Sequence, residues 1–114
     1  MDINKQNAQK LWKERYGNKK VIRDYTRYEI HFDQYGTETE FGWDVDHIIP
    51  LSRNGSGRKT NLVICHHLTN NEKENKTSWW ATLENGDEVR LQVTKGKIKN
   101  QDTDEILYDS RWYN

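Results

Sequence analysis

The sequence predicts a single domain of the α+β class. The length of the chain favours one domain, and two patterns favour the α+β class. The chain has 114 residues, enough for one domain and too few for two well-packed cores. Residues 3–16 carry apolar side chains at helical spacing. Several short segments with the alternating pattern of strands follow, separated by turn signals. We therefore expect residues 1–114 to form one domain that contains both helices and β-hairpins.

The composition limits the core and the cellular location. Only 32% of the residues are hydrophobic, so a small core must depend on aromatic side chains, of which five are Trp and six are Tyr. The sequence has no long apolar run and no signal-peptide pattern, and we expect a cytoplasmic protein that does not bind membranes. The single cysteine, Cys65, excludes an intrachain disulfide and a multi-cysteine zinc cluster.

An amphipathic helix and a hairpin are predicted before residue 41. In the helix, Asp2 can cap the start and Gly17 can end it. Its apolar face consists of Ala8, Leu11, Trp12 and Tyr16. Residues 20–35 alternate on both sides of residues 24–27, which predicts a hairpin turn at that point. The helix is expected to pack on the domain, and the hairpin leads into the stretch that follows.

Residues 41–76 contain the most informative pattern of the chain. A short apolar strand ends at Asp46 and His47, a glycine-containing loop follows, and Asn61 precedes a second apolar run at residues 62–65. Thr69 and Glu72 have the spacing of a capping box, which predicts the start of a helix. The predicted local order is therefore strand, loop, strand, helix.

Asp46, His47 and Asn70 have the chemistry for metal-assisted hydrolysis of a phosphodiester. Asp46 offers a carboxylate oxygen and Asn70 an amide oxygen, and so sparse a pair leaves positions on a divalent ion for water and phosphate oxygens. This ligand set suits Mg²⁺ or Mn²⁺. His47 lies beside Asp46 but points to the other face of the strand, and an imidazole can take a proton from water near neutral pH. His47 is therefore the candidate general base.

The segments D-H-I-I-P-L-S, N-G-S-G, N-L and T-N-N-E-K resemble the motif of HNH endonucleases. The family has a ββα-metal fold and hydrolyses phosphodiester bonds of nucleic acids. By position, the resemblance implies that Asp46 and Asn70 bind the metal ion. It also implies that His47 is the general base and that Asn61 braces the loop that carries this base.

The resemblance also bears on cofactors and origin. It implies one divalent ion, Mg²⁺ or Mn²⁺. Many family members hold the motif with two Cys-x-x-Cys pairs around a structural zinc, which this chain cannot do, so no structural zinc is expected. The segment G-W-D-V-D-H-I is similar to small stand-alone HNH proteins of bacteria and their phages.

Two further residues are possible metal ligands. Asp44 lies two residues before Asp46 and so points to the same side of the strand. A solvated carboxylate at the strand edge explains Asp44 equally well. His66 is a second possibility because some HNH relatives use additional histidine ligands, although a packed or surface histidine is more common.

The net charge of the chain is zero, but positive charge is concentrated beside the predicted site. Residues 51–76 have a net charge of +3, because only two glutamates accompany five cations. Such a cluster is what contacts to nucleic acid phosphates require. The loop at residues 53–59 is either a flexible connection or a phosphate-binding segment. The candidate nucleic-acid-binding residues are Arg53, Arg58, Lys59, Lys73 and Lys76.

A β extension is predicted for residues 77–114, after the motif core at residues 41–76. Trp79 and Trp80 are expected to end the motif helix and to pack it on the body of the domain. Asn85 and Gly86 form a strong turn signal, which predicts a hairpin. Further strands are predicted for residues 96–100 and 105–108.

The sequence favours a divalent-metal-dependent endonuclease that hydrolyses DNA with His47 as the base. A nuclease of RNA or of structured nucleic acid is an alternative, as is a non-catalytic DNA-binding module with the ββα shape. A motif this short reaches phosphates and little else, so a protein partner is a possible source of sequence specificity.

Overall fold

Two helices and eight strands are present in residues 3–113, the part of the chain that the computed structural model describes. The helices are α1 (Lys5–Tyr16) and α2 (His67–Lys73). The strands are β1 (Val21–Arg23), β2 (Glu29–His31), β3 (Trp43–His47), β4 (Leu62–His66), β5 (Ser78–Thr82), β6 (Glu88–Thr94), β7 (Lys97–Asn100) and β8 (Ile106–Asp109). They form two hairpins, β1–β2 and β3–β4, and one four-stranded antiparallel sheet in the order β5-β6-β7-β8. The α+β class is confirmed.

Helix α1 is the predicted N-terminal helix. Its N-cap is Asn4, whose side chain accepts a hydrogen bond of 2.8 Å from the backbone N–H of Asn7. Gly17 ends the helix at φ 63°, and its N–H donates to the carbonyl of Lys13, as glycine permits at this position. The proposed cap Asp2 lies outside the described residues. Neither helix of residues 3–113 is long and apolar enough to cross a membrane.

The β3–β4 hairpin lies between two apolar cores. Asp46 is opposite Val63 and Trp43 is opposite His66, and directly opposed residues share a face of the hairpin. One face packs on α1 through Trp43, Val45, Leu62 and Ile64. The other face packs on the C-terminal sheet through Val63 and Cys65. Because side chains alternate along β3, Asp44 and Asp46 lie on this second face.

Helix α2 differs from the prediction at both ends. It begins at His67, with His66 as its N-cap, so Thr69 is inside the helix and the predicted capping box is wrong. The Thr69 hydroxyl donates to the buried Asp24, and the Glu72 carboxylate accepts from the N–H and the hydroxyl of Thr82. Both side chains thus bind neighbouring elements instead of the helix start.

The residues after α2 also differ from the prediction. The helix ends at Lys73, and Glu74 turns the chain away with φ 52°. Trp79 and Trp80 do not end the helix but lie in β5, where side chains alternate between faces. Trp79 is therefore buried in the core, whereas 61% of Trp80 is exposed.

Both predicted hairpin turns are confirmed. Asp24 and Arg27 join β1 to β2, with Ile22 opposite Ile30. Gly86 has φ 92° in the turn between β5 and β6, a conformation that favours glycine. The strands predicted near residues 96–100 and 105–108 are β7 and β8.

Candidate active site

Polar side chains on β3 and α2 meet between the hairpin and the helix. Asn70 donates a hydrogen bond of 3.2 Å from Nδ2 to Oδ2 of Asp44. One helical turn later, Nζ of Lys73 lies 2.9 Å from Oδ2 of Asp46. Residues i and i+3 share a face of a helix, as i and i+2 share a face of a strand. The two contacts therefore place α2 directly over the two carboxylates of β3.

Lys73 is a buried partner of Asp46 and is not a surface cation. Its side chain is fully buried, and Nζ also donates a 3.0 Å hydrogen bond to the carbonyl of His47 and lies over the Trp79 ring. A side chain with no exposed surface cannot reach the phosphate backbone of a nucleic acid. The prediction that Lys73 contacts phosphate is therefore wrong, and the reason is that its ammonium neutralises a buried carboxylate.

Asp46 is only 15% exposed in its side chain. Burial raises the pKa of Asp46 above its ordinary value, and the Lys73 ammonium acts in the opposite direction. Oδ2 of Asp46 has no hydrogen-bond partner with acceptable geometry among the described residues, so its contact with Lys73 is an ion pair without a well-aligned hydrogen bond. Oδ2 is buried against the Lys73 ammonium, so Oδ1 is the oxygen of Asp46 left for another cation.

His47 is the last residue of β3 and lies opposite Leu62, on the other face of the strand from Asp46. It is partly exposed, and its backbone is held from two sides. Its carbonyl accepts from Lys73, and the N–H of the next residue, Ile48, donates a 2.7 Å bond to the carbonyl of Asn61. The imidazole thus projects from a fixed strand end.

Asn61 fastens the loop that follows His47. Its Oδ1 accepts a 2.9 Å bond from the N–H of Ile49, and its Nδ2 donates to the carbonyl of Ile49 at 3.0 Å. Nδ2 also donates to the carbonyl of Ser56 at 2.7 Å. Asn61 is buried, so these bonds satisfy its amide and close the loop at residues 49–61.

His66 does not lie with the candidate metal ligands. It is opposite Trp43, on the face of the hairpin away from Asp46. Its Nδ1 accepts from the N–H of Leu68 at 3.1 Å, and its Nε2 lies 2.6 Å from the carbonyl of Glu40. Nδ1 caps α2 and Nε2 is occupied by the carbonyl of Glu40, so the assignment of His66 as a possible ligand is wrong.

Asp24 positions α2, a role that was not predicted from the sequence. Its buried carboxylate accepts five hydrogen bonds, and the two made by Oδ2 come from the N–H of His66 and the hydroxyl of Thr69. Oδ1 accepts the other three, from Thr26 and Tyr28 in its own turn. The pattern D-x-T at a predicted turn was the available signal, because aspartate commonly bonds the backbone two residues later.

A model of the HNH endonuclease family matches residues 24–79. The chain belongs to the HNH endonuclease family. The matched segment begins at Asp24 and contains β3, β4 and α2, which are the two strands and the helix of the ββα unit. Searches of curated proteins and of solved structures give no significant match. The family implies nuclease activity on nucleic acids and, typically, use of a divalent metal ion.

The oxygen atoms of this HNH site fit a hard divalent ion. Asp44 and Asp46 present carboxylates on one face of β3, and Asn70 keeps Oδ1 available because Nδ2 makes its contact with Asp44. In residues 3–113, no three side chains of His, Cys, Asp or Glu are grouped so that they could hold a metal ion. The candidate ligands are two carboxylates and one amide oxygen, which are donors of the kind that hard divalent ions take.

The remaining candidate cations of the HNH segment are exposed. Nε of Arg53 donates to the carbonyl of Asn75 at 2.7 Å, and Nζ of Lys59 forms an ion pair of 2.9 Å with Glu14 of α1. The guanidinium of Arg58 has no hydrogen-bond or ion-pair partner in residues 3–113, and neither has the ammonium of Lys76. Arg58 and Lys76 are therefore the most available of these cations for phosphate contacts.

Proposed function

We propose that the chain is a divalent-metal-dependent endonuclease that hydrolyses phosphodiester bonds of DNA. The observation that carries the proposal is the meeting of β3 and α2, where Asn70 contacts Asp44 and Lys73 contacts Asp46. His47 follows Asp46 at the end of β3 and lies on the other face of the strand. The candidate base, the candidate metal ligands and the loop held by Asn61 thus all lie in the segment that matches the endonuclease family.

In the proposed mechanism, His47 acts as the general base. Its imidazole takes a proton from a water molecule, whose oxygen then bonds to phosphorus as the bond to the 3′ oxygen breaks. The departing 3′ oxygen takes up a proton from solvent and His47 returns its proton to solvent, so the products are a 3′-hydroxyl and a 5′-phosphate. Asn61 keeps the loop after His47 closed, so that the imidazole holds one direction.

Asp46 and Asn70 are the proposed metal ligands, with Asp44 as a possible third. The bound ion would supply positive charge for the phosphate and the departing oxygen. Lys73 favours the ionised form of Asp46, because its ammonium lies 2.9 Å from the carboxylate. Two carboxylates and one ammonium carry a net charge of −1 when all are ionised. A divalent ion and one phosphodiester would balance that charge.

We also propose that the HNH segment and the C-terminal sheet work as one domain. The β3–β4 hairpin contributes side chains to both apolar cores, and Tyr108 of β8 donates a hydrogen bond from its hydroxyl to the carbonyl of Leu62 in β4. The two parts would therefore unfold together, with residues 77–114 supporting the hairpin that carries His47.

Asn70→Ala is expected to raise the Mg²⁺ concentration needed for half-maximal cleavage of a labelled DNA duplex by at least about tenfold. The change removes an oxygen ligand but no positive charge, so DNA affinity measured in excess chelator should stay the same. Excess Mn²⁺ should restore part of the cleavage rate. Titration of each variant with Mg²⁺ and with Mn²⁺ measures the effect.

Asn71→Ala is the matched control, because Asn71 is the exposed neighbour of Asn70 on α2. It should change neither the metal dependence nor the affinity. If Asn70→Ala instead weakened DNA binding and Mn²⁺ gave no recovery, Asn70 would serve only to hold α2 against Asp44.

A further inference from the structure

A groove of about 650 Å³ separates the HNH loop from the C-terminal sheet. One wall is the loop closed by Asn61, from Ile49 to Thr60. The other wall is the turn between β6 and β7, together with Ser110 and Arg111 after β8. All residues of the second wall lie beyond residue 79, where the segment that matches the HNH family ends. The groove is thus formed jointly by the segment that matches the family and by residues that follow it.

Gly96, in the turn between β6 and β7, lies close to both the HNH loop and Ser110. Gly96 has φ 72°, and a Cβ atom at this position would lie 2.7 Å from Oγ of Ser110 and 3.5 Å from the carbonyl oxygen of Thr60. The N–H of Ser110 donates a 2.8 Å bond to the carbonyl of Gly96. Only glycine allows this approach without displacement. The backbone on either side of Gly96, which carries Lys95 and Lys97, therefore has a well-defined position.

The wall formed by the sheet is positively charged. Lys95 and Lys97 line the groove, and their ammonium groups make no hydrogen bond or ion pair with other residues in the range 3–113. Arg111 also lines it but is paired with Asp109, with Nη2 and Oδ2 2.8 Å apart. The bonds from Arg111 lower the pKa of Asp109 to about 2, so this carboxylate is ionised and offsets Arg111. The wall keeps a net charge of +2 from the two lysines.

Charge is segregated along the C-terminal sheet. The turn after β6 and the end of β8 lie at the sheet end that faces the HNH loop. The turns after β5 and after β7 lie at the opposite end. The opposite end, residues 83–88 and 101–105, carries only acidic charged residues: Glu84, Asp87, Glu88, Asp102, Asp104 and Glu105. The zero net charge of the chain therefore conceals a basic end beside the site and an acidic end away from it.

One residue that lines the groove is close in sequence to the candidate base. Ile49 follows His47 by two residues, which is at most about 7 Å of backbone. Arg58 projects from the same loop. A phosphodiester chain with one phosphate near His47 would place its neighbouring phosphates within reach of this wall, since phosphates recur about every 3.4 Å along the axis of each strand.

We propose that this groove binds the phosphodiester backbone of the substrate next to the scissile bond, with Lys95 and Lys97 as phosphate contacts. The proposal rests on the proposed nuclease function, which it extends to a binding surface outside the HNH segment. The lysines act by charge and read no bases, so they would strengthen binding equally for all sequences.

The test is the affinity of Lys95→Gln/Lys97→Gln for a fluorescein-labelled duplex DNA of 20 base pairs, measured by anisotropy in excess chelator so that the duplex stays intact. Loss of two phosphate contacts should reduce the slope of log Kd against log salt concentration by about 2. Affinity at low salt should fall for unrelated sequences alike. A labelled RNA of 20 nucleotides, measured in parallel, shows which nucleic acid the groove prefers.

Lys5→Gln/Lys10→Gln is the matched control. It removes the same charge from exposed positions of α1. The contact of α1 with the HNH loop is at Arg15, whose Nη2 donates to the carbonyl of Lys59. Lys5 is ten residues before Arg15, or about 15 Å along the helix, and is therefore distant from the loop. This variant should keep most of the salt slope, and both variants should unfold at the Tm of the unmodified chain.

An equal loss of slope in both variants, or no loss in either, would overturn the proposal. Tighter binding of an acidic peptide than of either nucleic acid, sensitive to the two lysines, would also overturn it. The result is independent of cleavage. A chain that binds DNA through the lysines but never cuts it contradicts the nuclease function only, and a chain that cuts DNA without using them contradicts the groove only.

Discussion

His47→Ala is expected to reduce DNA cleavage by a factor of about 10² to 10⁴, the usual contribution of a positioned general base. His47 is partly exposed at the end of β3, and its main-chain carbonyl, which the substitution retains, accepts the bond from Lys73. Fold, Tm and DNA affinity should therefore change little. Single-turnover cleavage at saturating Mg²⁺ measures the chemical step separately from binding.

His31→Ala is the control for loss of a histidine. His31 lies in the β1–β2 hairpin, with Nε2 2.7 Å from Glu29 and its ring stacked on Phe41. Its removal should leave the cleavage rate within a few-fold of the original. Weakened binding of Mn²⁺ by His47→Ala would make His47 a metal ligand, and an unchanged rate would contradict its role as the base.

Lys73→Met should lower the free energy of unfolding by about 3 kcal/mol in excess chelator, because it leaves the carboxylate of Asp46 buried without its cation. The side chain of Asp46 is 15% exposed. We therefore expect a loss at the lower end of the roughly 3–5 kcal/mol that breaking a buried ion pair usually costs. Urea denaturation measures the change. Removing Lys73 takes away the strongest opposition to the rise that burial causes in the pKa of Asp46. The loss of stability should therefore shrink in acid, where protonated Asp46 needs no cation.

Lys76→Met is the matched control for this effect. Lys76 is exposed three residues after Lys73, so its loss should change stability by no more than about 0.5 kcal/mol. Adding Asp46→Asn to Lys73→Met should recover part of the stability, since the uncompensated charge is then gone. If Lys73→Met were as stable as the unmodified chain, Lys73 would not be neutralising Asp46.

Local patterns were sufficient to predict most elements of the fold. The apolar spacing of α1, the strands on either side of the loop, and the Asn85-Gly86 turn all depend on residues close in sequence. The structure confirms each of them. Within the site, Asp44 and Asp46 could be placed on one face of β3 because the two-residue period of a strand is a local property.

Helix α2 could not be predicted correctly, because distant contacts stabilise it. It has seven residues and no apolar stripe, too short and polar to form a helix alone. Thr69, Asn70, Glu72 and Lys73 each bind another element, namely the β1–β2 turn, β3 or β5. A sequence cannot distinguish these buried polar contacts from solvated side chains. For this reason Lys73 was predicted as a phosphate contact and Thr69 and Glu72 as a capping box.

The most direct test of the proposed function is the incubation of supercoiled plasmid with the purified chain and Mg²⁺. We expect nicked or linear plasmid to appear, to be absent in excess chelator, and to return when Mg²⁺ or Mn²⁺ is added beyond the chelator. A structured RNA under the same conditions should be cut more slowly. Plasmid that stays supercoiled with every divalent ion would contradict the account and favour a DNA-binding module, and full cleavage in excess chelator would contradict the metal site.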